Sequence, residues 1–267
     1  MSSNPNNAEP RRFETGRIST ETPANAGVFS LIGKLSDDVN LEHFVEHAAL
    51  NAEVTELRLG NPASVFHMCP PLAAASINTT PASQDKCRAD LLADVDLLQD
   101  EVNAMKVWRA QVEKYKSDVI TANSLAPFRE YVIHPHKEAV KSEVGRTLYW
   151  RYSCAGLVID CYEHAGIETI DHSSAMPEID EETLKECYPD IAKLQKKYEE
   201  KPNSRALAKF GFRGIADLGL KDKPWRPILV GYLFHAFIRF CNNAPRPGAY
   251  VPNSCNERFF DGSPGGA

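Results

Sequence analysis

The sequence is short of most features that assign a protein to a class at sight. No apolar run reaches the roughly 20 residues needed to cross a bilayer. The longest, PILVGYLFHAFIRF at 227–240, is interrupted and reads as core, so no membrane span is expected. The polar start, MSSNPNNAEPRRFETGR, lacks the hydrophobic stretch of a Sec signal peptide. The expectation is a soluble protein made in the cytoplasm without that signal. Positive charge is not in excess. A formal net charge of −6, with both signs interspersed, argues against a nucleic-acid binder. No two cysteines stand at the C-x-x-C spacing of a zinc knuckle. Their number, seven, is odd and does not suit a disulfide framework. No internal repeat is visible.

What is present suits a single large core. The chain has 267 residues, 43% of them hydrophobic, and needs no disulfide or metal staple. Residues 1–25 are rich in Asn, Ser, Thr and Pro and read as a flexible tail. One catalytic domain over 26–250 follows, and 251–267 reads as an irregular Pro/Gly-rich tail. GVFSLIG (27–33) reads as a buried strand, and residues 47–68 as strand material turning at GNP. Leu91, Val95, Leu98, Val102 and Met105 recur at steps of four and three. They predict a long helical insertion over about 82–120, capped by Thr80 and Pro81. REYVIHPHK (129–137) reads as a short strand and KEAVKSEVGRTLYW (137–150) as a helix. Residues 180–203 read as a solvated helix pair jointed at Pro189.

The stretch YSCAGLVIDCYEHAGI (152–167) carries the chemistry. Cys154, Leu157, Val158, Cys161 and Ala165 share one helical face, with Asp160 and Glu163 off it. Ser153 suits the N-cap and Gly166 the C′ position. Cys154 thus falls in the first turn, where the positive end of the helix dipole lowers a thiol pKa and free N–H groups can hold an oxyanion. Gly156 allows another backbone or a substrate to come close. The residues alone also admit a plainer reading, a small hydrophobe at a buried helix start. Cys161, two turns on, reads as core.

CAGLVIDCYEHAGI resembles the nucleophile helix of NlpC-type cell-wall peptidases, a branch of the papain-like cysteine hydrolases. Cys154, Ala155, Gly156, Leu157, Val158, Tyr162, Gly166 and Ile167 stand at that family's spacing. The family usually has Asp before the cysteine, where this chain has Ser153. EHAALN and SVFHMCPP resemble the family's paired histidine strands. The resemblance therefore implies His47 as general base and acid, and His67 as the group that orients it. An extra hairpin at EVTELRLG (53–60) would separate the two. Histidine before cysteine is the order of the circularly permuted branch, which also includes the lecithin–retinol acyltransferase group.

The implied fold is α+β: a permuted papain-like domain with a small antiparallel sheet packed on the nucleophile helix. The implied activity is hydrolysis of amide bonds, foremost in peptidoglycan stem peptides, through a thioester acyl-enzyme and with no cofactor. Tyr152, Ser153 and Gly156 would line the pocket or the oxyanion hole, Tyr149 being a second candidate tyrosine. YVIHPH resembles the strand before the cysteine helix and makes His134 a fold residue. His235 is a weaker histidine candidate. Some permuted members resemble toxins delivered into rival bacteria by a type VI machine. That would bring a wall substrate within reach in a target-cell periplasm and add an immunity or secretion protein as partner.

Three other readings compete. The same fold could transfer acyl groups or deacylate an acylated small substrate. HFVEH (43–47) fits an inverted zinc-peptidase motif, with His43 and His47 as ligands on one helix face and Glu46 as base. The fold could also survive as a non-catalytic binding module that docks a partner through the long helix.

Overall fold

The computed structural model describes residues 29–35, 45–51, 63–68, 72–77, 90–93, 95, 97–123, 130–205, 207, 212–242 and 247–259. It is a mixed helix–strand fold. Five strands form one antiparallel sheet: β1 (Ser30–Leu35), β2 (Val45–Asn51), β3 (Ala63–Met68), β4 (Leu72–Ile77) and β5 (Asp90–Ala93), in the order β4-β3-β2-β1-β5. β2 lies at the centre. It pairs with β1 from Ser30↔Asn51 to Lys34↔His47, and with β3 from Ala49↔His67 to Asn51↔Val65. Within GVFSLIG, Ser30–Gly33 are strand as expected, with Phe29 and Leu31 buried; residues 27 and 28 lie outside the described residues.

The long helix, α1, spans Gln99–Asn123 and not 82–120. Residues 90–93 are strand, and Leu91 pairs with Ile32 of β1. The leucine periodicity is real but straddles two elements. Val95, Val102 and Met105 are buried, while Leu98 is exposed and stands just before the helix. There its N–H is taken by Glu101 Oε2 at 2.6 Å, half of a capping box. The expected Thr80 cap and the 53–60 hairpin lie outside the described residues.

Residues 137–150 correct the helical expectation. They form an antiparallel hairpin of β6 (Lys137–Lys141) and β7 (Thr147–Tyr152), closed by the turn Ser142–Arg146. Thr147, Tyr149, Trp150 and Tyr152 favour a pleated, half-buried surface, and that preference prevails. The segment before the hairpin is extended only at Tyr131–Ile133, and His134–His136 bends into β6.

The cysteine helix, α2, runs Cys154–His164. Ser153 caps it as expected, accepting Gly156 N–H at 2.9 Å. Gly166, with φ 77°, ends it. The solvated pair is α3 (Glu181–Cys187) and α4 (Pro189–Glu200), with Pro189 opening the second helix. PILVGYLFHAFIRF becomes α5 (Val230–Asn242) and lies in the core. Among the described residues no helix is long and apolar enough to cross a membrane.

The layers follow from these faces. α2 packs on β2 and β3, α5 packs on β2 and β5, and α1 packs on α2 and β7. Tyr162 of α2 donates its hydroxyl to the Phe29 carbonyl at 2.8 Å and meets Phe237 of α5 edge-on. Of the expected irregular tail, residues 251–259 are described, and they include a 3-10 turn at Cys255–Arg258 and pack on the domain. Phe259 is buried, Arg258 is held by Glu186, and Tyr250 bridges to Ile170.

Candidate active site

Cys154 opens α2 against the middle of the sheet. Its side chain is 4% exposed. Its sulfur meets donors from three directions. The Tyr131 hydroxyl lies at 4.0 Å. The backbone N–H of Ala48 on β2 and the first N–H groups of α2, those of Ala155 and Cys154, also stabilise the thiolate. The β2–β3 ladder ends at Ala49↔His67, one residue short of Ala48. Ala48 is the residue after His47, so the thiol rests on the strand that carries the predicted base.

His47 is partly buried on β2 and makes a contact of its own. His67 stands in β3 directly opposite Ala49, two residues along β2 from His47. That is the diagonal relation of an antiparallel pair, about 7–8 Å apart on one face. The His67 side chain lies outside the described residues. β2 thus draws Cys154, His47 and the backbone of His67 to one end of the sheet's centre.

The helix-start pKa argument needs correction. The α2 amides, Ala48 and Tyr131 do lower the Cys154 pKa, but burial is larger and raises it overall. The resting sulfur is therefore a thiol at neutral pH, and a base must take its proton when it attacks.

The other predicted residues serve the scaffold around this point. Tyr152 turns its hydroxyl to Asp160 Oδ2 at 2.7 Å. Gly156 allows a close approach as expected, and the backbone that approaches is the chain's own. A Cβ there would lie 1.9 Å from the His136 carbonyl oxygen, which also accepts Ser153 N–H at 2.9 Å. Tyr149 is half-buried in β7, and His134 is exposed at the bend. His235 bonds the Phe259 carbonyl at 2.8 Å.

Asp160 is the main surprise of α2. Placed off the apolar face by periodicity, it is only 8% exposed. It accepts Trp108 Nε1 from α1 at 2.7 Å as well as Tyr152, and it pairs with Lys137 of β6. One carboxylate therefore ties the long helix and the hairpin to the cysteine helix. Tyr131 was missed altogether. It lies 23 residues before Cys154, and only its extended backbone, bridged to Tyr152, brings it to the sulfur.

Val45–His47 is strand, so the helical i, i+4 geometry that HFVEH needs is not formed there. His43 lies outside the described residues. Among those described, no group of three His, Cys, Asp or Glu side chains could hold a metal ion. The described cysteines, Cys154, Cys161, Cys187 and Cys255, are free thiols, and Cys161 is fully buried.

No family model matches the sequence, and no curated protein or solved structure matches it either.

Proposed function

We propose that the chain is a permuted papain-like cysteine hydrolase that cleaves amide bonds, foremost in peptidoglycan stem peptides. One observation carries the reading. The cysteine helix packs on β2 with Cys154 at its N-terminus, and the backbone N–H of Ala48, the residue that follows His47, favours the Cys154 thiolate. In this reading His47 removes the thiol proton as the sulfur attacks the scissile carbonyl. The new S–C bond forms a tetrahedral oxyanion, which the Cys154 N–H helps to hold. The C–N bond then breaks, and His47 returns the proton to the leaving amine. Water releases the acyl group from the thioester by the reverse sequence, and His67 orients His47 throughout.

A wall substrate fits delivery into a target-cell periplasm, as in a type VI effector. The test is direct. Purified muropeptides are incubated with the wild-type chain and with Cys154→Ala, and the products are separated by mass. New truncated stem peptides with the wild type alone support the reading. Identical digests reject the wall substrate. Toxicity on periplasmic targeting that vanishes with Cys154→Ala supports the delivery role, and unharmed cells reject it.

A further inference from the structure

The hairpin β6–β7 lies beside the cysteine helix, and one of its side chains holds the tyrosine whose hydroxyl faces the sulfur. Arg151 of β7 is mostly buried, with 16% of its side chain exposed. Its guanidinium is bound at three points. Nη1 donates to Glu138 Oε2 on β6 at 2.8 Å. Nη2 donates to the Tyr131 carbonyl at 2.6 Å and to the Asp217 carbonyl at 2.5 Å. Nε is buried and has no hydrogen-bond partner among the described residues. A buried donor without a partner is costly, so the terminal nitrogens hold the side chain in place against that cost.

The Tyr131 carbonyl needs the bond it receives. The parallel bridge between Tyr131 and Tyr152 is made by the groups on either side. Val132 N–H donates to the Tyr152 carbonyl at 3.2 Å, and Tyr152 N–H to the Glu130 carbonyl at 3.2 Å. The polar backbone groups of Tyr131 itself therefore point away from β7. Arg151 supplies a donor to its carbonyl, and the same nitrogen ties the strand to the turn Ile215–Leu218. The Leu218 carbonyl of that turn accepts Ile133 N–H at 2.9 Å. Tyr131 is 6% exposed, so packing fixes its ring and its hydroxyl follows its backbone. The hydroxyl lies 4.0 Å from the Cys154 sulfur, a long contact that a small slip of the strand would break.

We propose that Arg151 is a positioning residue for the candidate nucleophile: its guanidinium fixes the Tyr131 backbone and so holds the phenol hydroxyl against the Cys154 sulfur. The inference rests on Cys154 being the reacting group of the proposed hydrolase. Arg151 acts by placement. The leading influences on the thiol are burial, the Ala48 N–H, the Tyr131 hydroxyl and the first amides of α2. Tyr188 and Cys187 also act on it, and burial raises both, so they are neutral at pH 7. His47 stands beside Ala48 on β2.

The test follows Cys154 alkylation by iodoacetamide across pH in the full chain, read by peptide mass spectrometry. The midpoint of the rise reports the thiol pKa. Tyr131→Phe removes the hydroxyl alone. It should move the midpoint up by about half to one pH unit, which slows the reaction about three- to tenfold at a pH below it. Arg151→Ala should move the midpoint the same way, and should move it no further in the Tyr131→Phe background. If Arg151→Ala fails to fold, Arg151→Lys keeps the charge, loses the fork and carries the same prediction. An unmoved midpoint in Tyr131→Phe overturns the inference, as does one in the folded Arg151 variant. Shifts that add in the double variant also overturn it, because Arg151 would then not act through the hydroxyl. Failure of the hydrolase reading looks different. The midpoint shifts would then persist while His47→Ala alkylates at the wild-type rate.

Discussion

Gly156→Ala is the sharpest test of how the cysteine helix is seated. On an exposed helix this change stabilises by about 1 kcal/mol, because alanine loses less backbone freedom. Here the new Cβ would lie 1.9 Å from the His136 oxygen and 2.7 Å from its carbonyl carbon. Both are backbone atoms, pinned by the 2.9 Å bond from Ser153 N–H. To relieve the clash, the first turn of α2 must move by about 1 Å from the 134–136 bend. Against fixed backbone atoms overpacking falls in the upper part of its usual range, about 2–3 kcal/mol, which outweighs the propensity gain. The net loss of about 1–2 kcal/mol lowers Tm by roughly 2–8 °C for a domain of this size. The same shift draws Cys154 away from Ala48. A displacement of about 1 Å at a reacting atom costs about a hundredfold in rate. Scanning calorimetry and Cys154 alkylation read the two effects. A folded Gly156→Ala with an unchanged or higher Tm refutes the seating described here.

Other consequences follow from the same geometry. Because burial raises the Cys154 pKa, alkylation by iodoacetamide should keep climbing between about pH 8 and 10 as thiolate forms; a plateau reached by pH 7 would mean a preformed ion pair and contradict it. Asp160→Ala leaves Trp108, Tyr152 and Lys137 without their shared acceptor. Lys137 can turn partly to water, so a loss of about 2–3 kcal/mol is expected in denaturant titration, at the low end for a broken buried pair; a change under about 0.5 kcal/mol rules out the hub role. Burial, then the nearby His172, hold His136 down to about 4. The unfolded chain takes that proton first, so its contribution is complete above about pH 6.5 and is lost as pH falls toward 4. His136→Gln should flatten that part of the stability profile, and an unaltered slope would remove His136 as its source.

Local signals in the sequence carried the parts of this account that depend on neighbours in the chain. Ser153, Gly166 and the apolar spacing between them defined α2 to within a residue, and Pro189 marked the α3–α4 joint. The misread parts depend on distant partners. Leu91 continues a helical leucine pattern, yet it completes the sheet because Ile32 lies open on the edge of β1. Lys137–Lys141 has helix-compatible residues, yet it pairs with β7, and Lys137 pairs with a carboxylate on α2. Asp160 reads as a surface residue until Trp108, 52 positions earlier, is folded against it. Tyr131 carries no local mark of proximity to the sulfur, and only the packed fold brings its hydroxyl to 4.0 Å from Cys154.

The central claim is that His47 activates Cys154. Its most direct test is the rate of Cys154 alkylation at pH 7 in the wild type and in His47→Ala, with folding checked by circular dichroism. A thiol with a raised pKa depends on a base for its reactivity, so the account predicts a loss of about tenfold or more in the variant. An equal rate in the two folded proteins would contradict it.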